Sequence, residues 1–88
     1  MYKYEEIRPK LFTDEGQRKF LKVRDRVFRI LEASGAIRMQ EAISGTGGDS
    51  WELVACIDRL VELQELREII QPYPTIGQNR IFVRMGIS

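Results

Sequence analysis

The stretch Leu53-Val54-Ala55-Cys56-Ile57-Asp58-Arg59-Leu60-Val61-Glu62-Leu63-Gln64-Glu65-Leu66-Arg67-Glu68-Ile69 decides the fold. Leu53, Ile57, Leu60 and Val61 recur at steps of three and four, so they line one side of a helix, with Val54 on its flank. Asp49 or Ser50 caps that helix, and Asp49-Ser50-Trp51-Glu52 fits the acidic form of a capping box. The helix is expected to end near Gln64. Leu66 to Gln71, rich in Leu and Ile, then reads as a strand. Pro72 to Asn79 holds two prolines and a glycine, which marks a loop. Arg80 to Arg84 reads as a second strand, and two strands so joined predict a β-hairpin.

Upstream, Thr13 offers an N-cap hydroxyl, and Asp14 and Glu15 put negative charge on a first helical turn. Phe20, Val23, Val27, Ile30 and Leu31 form one apolar stripe, while Arg18, Lys22, Arg26 and Arg29 fall opposite it. Gly35 stands where helices commonly stop in a left-handed turn, so the spacing predicts a long helix over 14–34. Ala36-Ile37-Arg38 is a connector or a minimal strand. Met39 to Ser44 predicts a short helix with Met39, Ala42 and Ile43 inward, and the glycines of 45–48 break it. Before Thr13, Tyr2, Tyr4, Ile7 and Leu11 suggest an arm that packs on the domain, and Arg8-Pro9 disfavours a helix running through that point. The organisation is thus an arm over 1–12 and one domain over 13–86.

A chain of 88 residues has enough surface for one modest core, burying roughly 60–65% of what its unfolded form exposes. Its 43% hydrophobic content separates it from disordered chains, which lack apolar surface to offset ordering entropy. No apolar run approaches the ~18–20 residues a bilayer span requires, so no membrane partner is expected. Cys56 is the single cysteine and there is no histidine. That removes an imidazole base for a nucleophile, and it removes Cys/His zinc ligation. A lone cysteine suits a reducing cytoplasm, and Cys56 reads as a small helix filler. Ser44-Gly45-Thr46-Gly47-Gly48 lacks the Lys-Ser/Thr that a phosphate loop needs. The expectation is no enzyme, no cofactor and no small-molecule ligand.

Charge is unevenly spread. Six cations between Gln17 and Leu31 face Asp25 alone, whereas six acids between Asp49 and Glu68 face Arg59 and Arg67. Such separation decides which faces could meet nucleic acid.

The order long helix, short helix, turn, helix, hairpin resembles the winged helix-turn-helix fold of many small bacterial regulators. The quoted stretch carries the resemblance. It looks like a third helix running into the first wing strand, with Ile57 and Leu60 as the apolar pair and Leu66 starting the strand. The resemblance spans about Thr13 to Met85 and implies an α+β fold: a small winged-helix domain of three helices plus a C-terminal two-stranded β-hairpin wing. Two departures stand out. The glycine that usually ends the third helix is Gln64 here, which requires a left-handed residue or another helix exit. In DNA-binding members the third helix carries polar or basic residues outward. The matching positions here are Val54, Ala55 and Asp58, with Glu52 and Glu62 nearby and Arg59 the one base.

Two classes of function follow. As a DNA-binding regulator or accessory protein, the chain would meet double-stranded DNA through Arg18, Lys22, Arg26 and Arg29, through Thr46, Gly47, Gly48 and Ser50 at a helix start, through Arg59, and through Gln78, Asn79 and Arg80 on the wing. As a protein-interaction or homodimerisation module, it would use Trp51, Ala55, Arg59 and Glu62 on the outer line of the third helix. Each residue also has a plainer reading: a solvated helix face, a turn and cap, a loop-shaping pair, or, for Trp51, peripheral core.

Overall fold

The computed structural model describes residues 1–45, 47–72 and 79–85. Helix α1 (Tyr4–Ile7) leads into a 3₁₀ helix (Arg8–Phe12), followed by α2 (Asp14–Ser34), β1 (Ile37–Arg38), α3 (Met39–Ile43), α4 (Ser50–Glu62), β2 (Leu66–Ile69) and β3 (Ile81–Arg84). Three main helices, α2, α3 and α4, thus precede a C-terminal hairpin in an α+β domain. The sheet is antiparallel in the order β1-β3-β2, with Ile37 opposite Phe82 and Leu66 opposite Arg84. None of the helices among the described residues is long and apolar enough to cross a membrane.

Local chemistry accounts for the helix ends. Thr13 Oγ1 accepts from the Gly16 N–H at 3.0 Å, which starts α2 where the threonine cap predicts. Gly35, at φ 81°, closes it with its N–H on the Leu31 carbonyl. Asp49 caps α4 by accepting from the Trp51 N–H at 2.8 Å. The expected reciprocal arm of that box is not formed, because Glu52 turns to Lys19 Nζ at 3.5 Å. Gln64 takes the left-handed conformation itself, at φ 62°, at the exit from α4 into β2. The strand predicted over 66–71 stops at Ile69, where pairing with β3 ends.

Core side chains come from every layer. Phe20, Val23, Val27 and Leu31 of α2 meet Leu53, Cys56, Ile57 and Leu60 of α4, with Ile37, Met39, Ala42, Leu66 and Phe82 closing the remaining sides. Val61, expected inward, is only partly buried. Ile7 and Leu11 enter the same core, so the opening segment is helical and docked. Its docking depends on Gly16: a Cβ there would lie 2.0 Å from the Lys10 carbonyl oxygen. The interruption expected at Arg8-Pro9 does not occur: Arg8 keeps right-handed helical dihedrals (φ −46°, ψ −44°), and the chain passes from α1 straight into the 3₁₀ helix, with Pro9 in its first turn, where no N–H is needed.

Candidate interaction surfaces

The outer side of α4 is covered by the opening segment. Tyr2 donates its hydroxyl to Asp58 Oδ2 at 2.6 Å, and Tyr4 donates to Glu62 Oε1 at 2.6 Å. Arg8 Nε reaches the same Glu62 oxygen at 3.0 Å, and Arg59 reaches it at 2.8 Å from within α4. Arg8 and Arg59 each place a guanidinium over the Phe12 ring, 4.9 and 5.1 Å from its centre. At a helical step of about 100° per residue, Ala55 lies between Trp51, Asp58, Arg59 and Glu62 on this face. It is therefore fully buried, at 0% exposure. Outward placement of Ala55 is thus corrected. The inner stripe of α4 buries one side, and the arm buries the other.

These contacts set the acid–base behaviour of the face. Glu62 accepts hydrogen bonds from Tyr4, Arg59 and Arg8, which hold its carboxyl down to about 2. Burial, then the bond to Glu62, pushes the Tyr4 phenol up to about 12. Tyr2 moves in the same direction through burial and its bond to Asp58. Cys56 is buried, which pushes its thiol up to about 11 and leaves it a poor nucleophile at neutral pH.

Arg80, expected from sequence to be free to meet DNA, immediately precedes β3 at the loop end of the hairpin. It is half-buried, and Nη2 bonds Asp58 Oδ1 at 2.8 Å and Glu68 Oε1 at 2.9 Å, while Nε bonds Glu68 Oε2 at 3.1 Å. Burial works against its charge, but the two carboxylates outweigh that and raise its pKa. One guanidinium thereby joins α4, β2 and the start of β3. Asn79 is exposed and accepts a bond from Gln71 Nε2 through its carbonyl. Gln78 and Thr46 lie outside the described residues.

Beside Arg80 opens a cleft of about 260 Å³ lined by Tyr2, Met39, Ile43, Ser50, Trp51, Val54 and Arg80. Trp51 stands at its edge, 44% exposed, with the Tyr2 ring edge-on at 6.4 Å. It is an exposed side chain outside the core cluster, not the peripheral core of the plainer reading. On α2, Arg18, Lys22 and Arg29 are exposed. Arg26 is partly buried, with Nη2 on the Glu41 carbonyl at 3.1 Å and Nε without a partner. Gly47 and Gly48 are exposed in the turn before α4, and Gly47 shares a second cleft with Arg18 and Lys22.

Sequence reasoning did not find Tyr2, Tyr4, Arg8, Asp58 or Glu68 as partners in these networks. The arm's four apolar positions were its one signal. Comparison with family models, with curated proteins and with solved structures gave no match.

Proposed function

We propose that this chain is a winged-helix domain without catalytic machinery that works as a protein-interaction module, seating an apolar side chain of a partner polypeptide beside Trp51. The observation that carries the reading is the cleft itself. Its walls are Met39, Ile43, Val54 and two aromatic rings, at the helix start where a groove-reading member would offer polar or basic groups. A large aromatic side chain left 44% exposed at the edge of an apolar hollow is the usual character of an interface anchor.

The element order and the hairpin beside α4 support the winged-helix reading. Charge supports the choice of partner. Arg59 and Arg80, which a DNA-binding regulator would aim at phosphates, are held by Glu62, Asp58 and Glu68. Among the described residues Arg80 is the one charged group lining the cleft, and Asp58 and Glu68 neutralise it, so the fitting segment is defined by its apolar anchor.

The test is selection of displayed random peptides on the immobilised full chain, with Trp51→Ala as the control surface. Enrichment of peptides with a large apolar anchor is expected, each shifting Trp51 emission on binding and losing affinity at least tenfold on Trp51→Ala. Peptides enriched equally on the variant, or none enriched, would exclude the reading. A concentration-dependent dimer on a sizing column, abolished by Trp51→Ala, would replace the foreign partner with a second copy.

A further inference from the structure

We infer that the outer edge of β2 is a pairing edge for a second copy of this chain, which adds its own β2 antiparallel about Ile69 and joins the two sheets into one. None of the residues from Leu66 to Gln71 lines the Trp51 cleft, and the pairing does not depend on docking there.

Among the described residues β2 ends the sheet order β1-β3-β2, so one side of it has no strand beside it. The Met85 N–H donates to the Glu65 carbonyl at 3.1 Å, and the register sets Leu66 opposite Arg84 and Arg67 opposite Val83. Hydrogen-bonded pairs alternate along an antiparallel ladder, so Arg67 and Ile69 turn their backbone groups to β3. Leu66 and Glu68 turn theirs to the open side, and Ile70 is next in that series. Ile69 is 38% exposed and Ile70 86%, two large apolar side chains in succession. Successive side chains of a strand point to opposite faces of the sheet, so a helix laid on one face would cover one isoleucine and leave the other. A strand added at the edge flanks both. Strand character in the sequence also runs on to Gln71, past Ile69, where pairing with β3 ends.

Charge along the edge selects the register. Two copies related by a two-fold axis set β2 against β2, and only residues that face outward can exchange hydrogen bonds. Centring the pair on Arg67 or on Glu68 puts like charges directly opposite, which is destabilising. Centring it on Leu66 brings in Gln64, whose φ of 62° is not that of a strand. Centring it on Ile70 brings in Pro72, which has no N–H to donate. Ile69 as the centre meets none of these obstacles. Glu68 and the partner's Ile70 then exchange both backbone hydrogen bonds, Arg67 faces the partner's Gln71, and the two Ile69 side chains meet in a close, non-hydrogen-bonded pair. Ile81 lies beside Ile69 on the same face, partly buried, so an apolar row runs from Ile81 through both Ile69 side chains to the partner's Ile81. Glu68 is already neutralised by Arg80 at 2.9 Å, so its carboxylate does not oppose the approach.

Sedimentation velocity of the full chain over a hundredfold range of concentration tests the pairing. A strand pair of this length is a small interface, so a dimer that dissociates on dilution is expected. Ile70→Pro removes an N–H that β3 does not use, two per dimer, and should weaken association about 30-fold with an unchanged circular dichroism spectrum. Ile69→Lys and Ile69→Glu, both at an exposed position, should each be monomeric alone, because like charges then face each other, and should dimerise when mixed. Trp51→Ala should dimerise as the parent does, which separates this edge from the cleft. A parent that stays monomeric would overturn the pairing, as would folded variants at position 69 that dimerise alone, a mixture of them that does not, or a folded Trp51→Ala that stays monomeric. Protection of the Glu68 and Ile70 amides from hydrogen exchange only on adding a foreign polypeptide, with no dimer, would also overturn it and give the edge to another protein's strand.

Discussion

The Tyr2 hydroxyl donates to Asp58 at 2.6 Å, and the other oxygen of that carboxylate accepts from Arg80 at 2.8 Å. One acid on α4 therefore fastens the arm on one side and the start of β3 on the other. Removing the phenolic oxygen tests the arm's half. Tyr2→Phe keeps the ring against Trp51 and loses one partly buried bond, so stability should fall by about 1 kcal/mol. For a domain of this size that is roughly 4–8 °C in Tm by thermal denaturation.

Arg80 holds the hairpin's half. Arg80→Ala leaves Asp58 and Glu68, both now within bonding distance of one guanidinium, without a counter-charge. A loss of about 2 kcal/mol is expected, less than for a fully buried pair because solvent reaches the site. Arg80→Lys should restore only part of it, since an ammonium lacks the fork that serves both acids. Urea denaturation midpoints give the comparison; equal stability of all three proteins would contradict the assignment.

Gly16→Ala sets two effects against each other. Helix propensity favours alanine by about 1 kcal/mol. Against it, the added methyl would meet the Lys10 carbonyl at 2.0 Å and Leu11 Cα at 2.8 Å, both backbone atoms that cannot swing aside. Overpacking of this kind typically costs about 1–3 kcal/mol, so net destabilisation is expected, with loss of the Tyr2–Trp51 contact.

Gln64→Gly should do the reverse. A side chain at φ 62° carries a steric cost that glycine avoids, while glycine adds freedom to the unfolded chain. The balance is a gain of about 0.5 kcal/mol, read from the same denaturation midpoints.

The arm should loosen at both ends of the pH scale. Glu62 falls from an ordinary 4.5 to about 2 in the folded chain, so its contribution is present above pH 4.5 and is lost as pH drops toward 2. Tyr4 rises from 10 to about 12, so its contribution is present below pH 10 and is lost as pH climbs through 12. Glu62→Gln should flatten the acid limb of a stability-against-pH series. In a Tyr73→Phe background, phenolate absorbance should stay low at pH 11 while the fold persists. Half-titration near pH 10 with the fold intact would contradict the two tyrosine contacts.

How much of this is legible in residues alone depends on the range of the interaction. The cap at Thr13, the stop at Gly35, the stripe of Leu53, Ile57 and Leu60, and the hairpin of β2 and β3 are local patterns, and the structure reproduces them. The left-handed exit at Gln64 was one of two alternatives that the missing glycine posed. Ala55 was misplaced because an outward position on an isolated helix says nothing about an arm laid over it. The partners of Arg80 are not legible for a related reason: Asp58 and Glu68 lie 22 and 12 positions away, and no spacing rule joins them. Glu52 fits a capping box by type, yet a lysine on another helix claims it. The two clefts arise only once α2, α3, α4 and the arm are assembled, so sequence could supply Trp51, Arg18 and Lys22 but not their settings.

The claim on which the rest turns is that the opening segment lies across α4 and occupies its outer side. Proton–proton nuclear Overhauser contacts in the full chain test it directly. The account predicts cross-peaks from the Tyr2 ring to the Trp51 indole, with the Ala55 methyl contacting protons of residues 1–12. An Ala55 methyl that contacts only its own helix and exchanges magnetisation with water, with no Tyr2–Trp51 cross-peak, would contradict it.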